Sequence, residues 1–303
     1  MTAPASTQQL KTAFNNTNPA LQPLRDGRVT IPGVEMDQVS PPNIIAAFRH
    51  MCRTLEYDIS EMAVVTYFTM RRYGMPVTAI PVFPSSRVEV GAGILVNKNA
   101  GIVTPKDFEG KRVGIRSYAV TPTTWQKGYL TDNGVDIDKV QWVSHDDEHV
   151  EALNADMPKN IDYRLGANIA ELVKSGELDA VAGVQIGEDP NLAPLVPDSR
   201  ERGIEQFKQD GIYRLIHLMI VKNSAIEADP DILRNVFNAF KESKRVYLES
   251  LGDKAPTEKW DDPLPLGMDE VRASLEALMA HSVKQQILPH AMSIDELFPG
   301  NLN

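Results

Sequence analysis

The chain reads as an α/β protein of two lobes, each a sheet covered by helices, with a central cleft between them. Three observations predict this. Short apolar or β-branched runs alternate with segments of helical period over most of the sequence. Two extended stretches, near residues 85–95 and 205–220, carry the chain from one such unit to the other and back. At 303 residues, with 42 % hydrophobic and 24 % charged content, there is chain enough for two cores. The crossovers divide it into a first lobe, 1–90 with 215–303, and a second, 91–214.

The elements follow in order. Leu10 to Phe14 is a first strand, and Arg28–Ile31 with Val34–Val39 read as a strand pair around Pro32-Gly33. Ser40-Pro41 opens a helix on which Ile44, Ile45, Phe48, Met51, Cys52 and Leu55 share one face. A strand from Tyr57 to Ser60 ends at Glu61, and a helix from Val64 stops at Gly74. Ala79–Phe83 and Ile94–Val96 are strands, the latter at a crossover. Thr104-Pro105-Lys106-Asp107 has capping-box spacing, and Val113–Ile115 is a buried strand. Val140–Val143, the helix Asn168–Lys174 closed by Gly176, and the strand Leu178–Val184 complete the second lobe. Arg214–Val221 crosses back. Helices follow, with Ile232, Val236, Phe237 and Phe240 on one face and Val271, Leu275 and Leu278 on another.

Composition narrows the function. A net charge of −10 with no basic tract argues against nucleic-acid and anionic-membrane partners. Met1 to Leu10 has neither a basic nor an apolar signal region, so the sequence as written predicts a cytoplasmic protein. The longest apolar run, Leu215–Val221, is too short to span a bilayer. The single cysteine, Cys52, lies on an apolar helix face and reads as a packed thiol.

The stretch from Gly110 to Trp125 is the most informative. Arg116-Ser117-Tyr118 stands at the carboxyl end of a strand, with Thr121 placed to cap a helix and Pro122 to start it. Thr123 and Thr124 follow in the first turn. A strand end, an arginine and a helix N-terminus make a seat for a small carboxylate or phosphate; the alternative is a capped helix with a surface arginine. Tyr118 and Trp125 either stack on a bound ring or pack the lobe.

Ala47-Phe-Arg-His50, Tyr57-Asp-Ile-Ser-Glu-Met62, Gly110-Lys-Arg-Val-Gly-Ile115 and Gly176-Glu-Leu-Asp-Ala180 resemble the 4,5-dihydroxyphthalate decarboxylase family, itself related to type II periplasmic solute-binding proteins. The resemblance runs from about Leu10 to Leu251. It implies a binding-protein-like fold of mixed sheets and the non-oxidative decarboxylation of a hydroxylated aromatic acid. Ser144-His-Asp-Asp-Glu-His149 departs from the family pattern.

Removing CO₂ from such a ring demands a base for a hydroxyl, an acid near the carbon that loses the carboxylate, and an anchor for a second carboxylate. His50 is the first candidate for proton transfer, with Glu61 to orient it or take a proton; the alternatives are a surface or satisfied helix histidine and a carboxylate at a helix start. Asp58, on the same strand, is a structural alternative. Arg49 and Arg87 are candidate carboxylate contacts beside Arg116, unless nearby acids pair with them. No electron-sink cofactor is expected. His145 and His149, four apart, would share a helix face as a metal pair, with His217 a possible third ligand. A solvated acidic turn and a core histidine are the alternatives.

The expected partner is a small aromatic carboxylate, and the expected assembly a homo-oligomer. A solute receptor or cytoplasmic sensor on the same fold is the main rival function, and a metal-dependent hydrolase or lyase a third. The tail from about Asp253 to Asn303 either packs on the first lobe or builds a subunit interface.

Overall fold

The computed structural model describes residues 7–40, 43–300 and 302–303. The reading of Met1 to Ser6, and of Pro41 as part of a helix opening, lies outside these residues. The chain divides into two compact units: Met1–Arg87, Leu215–Leu275 and Met292–Asn303 form unit 1, and Val88–Arg214 with Glu276–Ala291 form unit 2. The tail is therefore divided, and residues 276–291 join unit 2 rather than the first lobe to which 215–303 was assigned.

Unit 1 opens with β1 (Gln8–Ala13), α1 (Gln22–Arg25), β2 (Val34–Gln38), α2 (Ile44–Thr54), β3 (Ile59–Ala63), α3 (Val64–Arg72) and β4 (Val77–Arg87). Unit 2 follows with β5 (Ile94–Asn97), β6 (Arg112–Ile115), α4 (Thr121–Asp132), β7 (Gln141–Ser144), β8 (Ile161–Tyr163), α5 (Ile169–Lys174), β9 (Ala180–Ala182), β10 (Leu192–Pro194) and α6 (Ser199–Asp210). The return comprises β11 (Arg214–Lys222), α7 (Asn223–Ala228), α8 (Ile232–Leu251), α9 (Met268–Lys284) and α10 (Ile294–Leu297).

The unit 1 sheet has the order β2-β1-β3-β11-β4. β1 pairs parallel with β2 and β3, and β11 enters antiparallel to β3. The expected strand pair around Pro32-Gly33 does not form: residues 28–31 are not a strand, and β2 lies parallel to β1. A parallel neighbour needs a crossover rather than a tight hairpin, and α1 lies in that crossover. Leu10, Phe14, Ile59, Met219 and Val221 pack with Val236, Phe237 and Phe240 of α8 into one core. The Phe14 and Phe240 rings meet edge to face at 5.8 Å. Asn43 caps α2 by accepting from Ala46 N–H at 2.8 Å, and burial pushes the Cys52 thiol up to about 12.

The unit 2 sheet has the order β10-β5-β9-β6-β7-β8. β9, β6, β7 and β8 run parallel, while β5 is antiparallel to β9. Both sheets are thus mixed, as a binding-protein-like fold requires. The capping box at Thr104 forms, with its N–H donating to Asp107 Oδ2 at 2.7 Å. α5 presses Ile169 and Leu178 sits beside it over Gly114, where an added Cβ would lie 2.6 and 2.8 Å from those side chains. α6 approaches the strand-like segment before β5 so closely that a Cβ on Gly203 would lie 2.0 Å from the Val88 carbonyl oxygen. Replacing Gly203 with Ala forces backbone to move, so urea denaturation should show a loss of about 1–3 kcal/mol.

Residues 276–291 complete unit 2 by packing on α4. Gln285 Nε2 donates to Thr124 O at 2.8 Å, and the His281 ring meets Trp125 edge-on at 5.6 Å. Burial holds the His281 pKa below 6.5, against the opposing charge of Asp132. A folded-state pKa below the unfolded one contributes stability above the unfolded value and loses it as pH falls through the folded value. His281→Gln should therefore lose less stability than the parent between about pH 7 and about pH 5, as read from paired urea midpoints.

Candidate functional site

Each unit holds one buried carboxylate with a full set of donors, and the sequence-predicted residues divide between them.

In unit 1 the carboxylate is Glu61, fully buried in the middle of β3 rather than just beyond a strand end. The antiparallel register sets Glu61 opposite Met219, which puts His217, two residues along β11, on the same face and diagonal to it. His217 Nδ1–H donates to Glu61 Oε1 at 2.6 Å, and Asn15 N–H donates to Oε2 at 2.7 Å. The ionised carboxylate only accepts, which fixes the His217 tautomer. Phe48 of α2 stands edge-on to the imidazole at 4.9 Å. The His217 side chain keeps 16 % exposure, and Nε2 makes no hydrogen bond among the described residues. Behind Asn15, the Arg25 guanidinium donates to the Asn15, Asn16 and Asn18 carbonyls and ties down the loop that supplies the N–H. Burial lowers the Arg25 pKa, and the Glu61 charge offsets part of that shift.

His50 is elsewhere. It lies at the exposed end of α2, where Nδ1 pairs with Glu56 Oε2 at 2.7 Å and the side chain is 59 % exposed. The structure does not bring it to Glu61. Arg49 is half-buried on the same helix, and Arg87 is exposed at the end of β4. Asp58 accepts from Lys11 N–H and pairs with Lys222 at 2.8 Å, a structural role.

In unit 2 the carboxylate is Glu148. Its oxygens accept from Ser117 Oγ–H at 3.0 Å, Tyr118 N–H at 2.8 Å and Ala119 N–H at 3.1 Å. Ser117 and Tyr118, expected to contact substrate, are buried: the Ser117 hydroxyl goes to Glu148, and the Tyr118 hydroxyl donates to Gln285 O at 3.2 Å. Lys127, also fully buried, donates to Tyr118 O at 2.9 Å and lies against the Tyr118 ring. Burial pushes the Glu148 pKa up and the Lys127 pKa well down, and each charge pulls the other back toward its ionised form. This pair locks the turn that enters α4. The chain turns helical one residue earlier than the sequence suggests: Thr121 is the first helical residue, with Val120 at the cap and its carbonyl accepting from Thr124 N–H at 2.9 Å.

Arg116 follows β6, and its Nη1 donates to His149 Nε2 at 3.2 Å and reaches Asp146 Oδ2 at 3.4 Å. Thr121, Thr123 and Thr124 are buried in the first turn of α4. Residues 145–149 are not helical, so His145 and His149 share no helix face. His145 is half-buried with its pKa lowered by burial, His149 holds Arg116, and His217 belongs to unit 1. Among the described residues no three metal-ligating side chains converge, and no helix is long and apolar enough to cross a membrane. Sequence reasoning missed Glu148 and Lys127: their spacing has no motif, and only the fold places them together.

Two α/β units with mixed sheets and a chain that crosses between them are the architecture of solute-binding proteins. The chain is similar in fold to the periplasmic aliphatic sulphonate binding protein SsuA of Escherichia coli, at TM-score 0.60 and 13 % identity over 98 % of this chain and 99 % of that one. It is also similar to the desulfurization enzyme DSZB in complex with biphenyl-2-sulfinic acid, at TM-score 0.54 and 13 % identity over 96 % of each chain. A model of the NMT1/THI5-like family matches residues 59–250, and the chain belongs to that family. A Comamonas testosteroni protein named 4,5-dihydroxyphthalate decarboxylase is 29 % identical over 278 residues, 87 % of this chain and 82 % of the relative. A Pseudomonas putida protein of the same name is 32 % identical over 174 residues, 54 % of this chain and 66 % of the relative.

Glu148→Ala should leave the Ser117 hydroxyl and the Tyr118 and Ala119 N–H groups buried without their acceptor and cost about 3 kcal/mol or more in urea unfolding. Glu148→Gln, which keeps one acceptor oxygen, should cost less.

Proposed function

We propose that this protein is a carboxy-lyase that releases CO₂ from a hydroxylated aromatic acid of the 4,5-dihydroxyphthalate class. The observation that carries the reading is the Glu61–His217 pair: an imidazole oriented by a buried carboxylate, with its second nitrogen open. The names of the two decarboxylase relatives supply the reaction class.

The chemistry needs a proton at the ring carbon that bears the departing carboxylate. A ring hydroxyl pushes electron density to that carbon, and imidazolium at Nε2 supplies the proton. The carbon–carbon bond then breaks, its electron pair restores the aromatic ring, and CO₂ leaves. One proton is consumed per CO₂, and solvent reprotonates Nε2. Glu61 holds Nδ1–H in place and so fixes where Nε2 points, as a carboxylate does in other oriented histidines. His50 is left outside the proton path because its ring faces Glu56.

The test is CO₂ release by the purified chain from a panel of hydroxylated aromatic acids led by 4,5-dihydroxyphthalate. His217→Ala should lower turnover by about 10²–10⁴-fold, and Glu61→Gln should lower it less, with ligand binding retained in both. His50→Ala should turn over within about twofold of the parent, since general acid–base catalysis requires a group in reach of the reacting proton. Full turnover in His217→Ala would overturn the assignment. Ligand-induced thermal stabilisation without any CO₂ would favour the receptor reading, which the SsuA-like fold also accommodates.

A further inference from the structure

We propose that the start of α4 carries a subsite that recognises a phenolic hydroxyl, built from Thr123 Oγ1 and Gln126 Oε1 against Gly183. It rests on the reading of this chain as a binder of hydroxylated aromatic acids, and it names which feature of the ring is read.

Thr123 and Gln126 are three residues apart on α4 and so share a face. Both are buried, and Thr123 Oγ1 and Gln126 Oε1 have no hydrogen-bond partner among the described residues. The glutamine cannot reverse its amide without loss, because Nε2 donates to Ala92 O at 2.7 Å. Oε1 is therefore the atom left over. A Cβ built on Gly183 would lie 3.0 Å from Oε1 and 3.1 Å from Oγ1, so the two oxygens lie together beside the bare Cα of that glycine.

Glycines flank the two side chains. Gly183 has φ +69° and Gly93 has φ +76°, and Gly183 N–H donates to Gly93 O at 3.2 Å. A Cβ on Gly93 would collide with Gln126 Nε2 at 2.8 Å. Side chains at either position would be strained in backbone, and one at Gly183 would press on the two oxygens. The place is also the one where open α/β sheets bind ligands: Ile115 of β6 is level with Ala182 of β9, and Gly183 follows at the carboxyl end.

The donor and acceptor inventory selects the ligand group. Gln126 Oε1 can only accept, whereas the Thr123 hydroxyl can donate and accept. A single hydroxyl satisfies both at once, donating to Oε1 and accepting from Oγ1–H. A carboxylate or a methyl ether brings no proton and leaves Oε1 facing another lone pair. The subsite thus separates the hydroxylated edge of a ring from its carboxylated edge, and sets which way round the ring lies.

The experiment is calorimetric titration of the full chain with phthalate, 4,5-dihydroxyphthalate and 4,5-dimethoxyphthalate. The dihydroxy ligand should bind more tightly than the other two by about tenfold or more, since a site built to bond a hydroxyl rejects analogues that lack it. Thr123→Val should bring the dihydroxy-to-dimethoxy ratio to within about twofold, and Thr123→Ser should keep it. Equal affinities in the native chain, or a ratio unchanged by Thr123→Val, would overturn the subsite while leaving the ligand class in place. Binding of none of the three would overturn the ligand class and the subsite with it. If Thr123→Val does not fold, the ligand series on the native chain decides.

Discussion

Taking Glu148 wholly out of water is the constraint on which unit 2 turns. A carboxylate with no solvent must find its hydrogen bonds within the protein, and here they come from three consecutive residues, Ser117, Tyr118 and Ala119. Those residues can meet one side chain only by curling around it, so satisfying Glu148 dictates the shape of the turn that delivers α4. Lys127 closes the arrangement from the helix side by bonding the Tyr118 carbonyl. The orientation of the first turn of α4, of Thr123 and of Gln126 follows from that turn. Replacing the pair with apolar groups of similar volume could be neutral for stability, but it would leave the turn without its template.

Unit 1 uses a buried carboxylate differently. Glu61 is held by a loop N–H on one oxygen and by an imidazole on the other. One of its partners is therefore a titratable ring with a second nitrogen, rather than backbone. The same burial that makes Glu148 a template makes Glu61 a handle on His217. The two carboxylates differ in what their donors can do next.

The elements were largely readable because each is periodic over its own length: α2, α5 and α8 carry apolar faces, and β6, β7 and β11 are short apolar runs. What periodicity cannot contain is register between distant strands. Glu61 and His217 are 156 residues apart and meet because β3 pairs with β11 in one alignment. His50, nearby in sequence, is nearer on paper and farther in fact. The interval from His145 to His149 suggested a metal-binding helix, yet Ser144 ends a strand and the chain bends there. Asp146 and His149 are drawn to Arg116 and Glu148 to the turn beside it, so the acidic run serves the β6–α4 connection.

The placement of residues 276–291 in unit 2 has a consequence for how the chain comes into being. Gln285 bonds Thr124, and the His281 ring fills the space that Gly128 leaves by lacking a side chain. The side of α4 that carries Thr124 and Gly128 is therefore covered by chain that is made more than 150 residues later. During synthesis that side of α4 stays bare until residues 276–291 are made. Unit 1 waits too, since β11 sits in the middle of its sheet between β3 and β4. Contacts so distant in sequence slow folding and prolong the exposure of apolar surface.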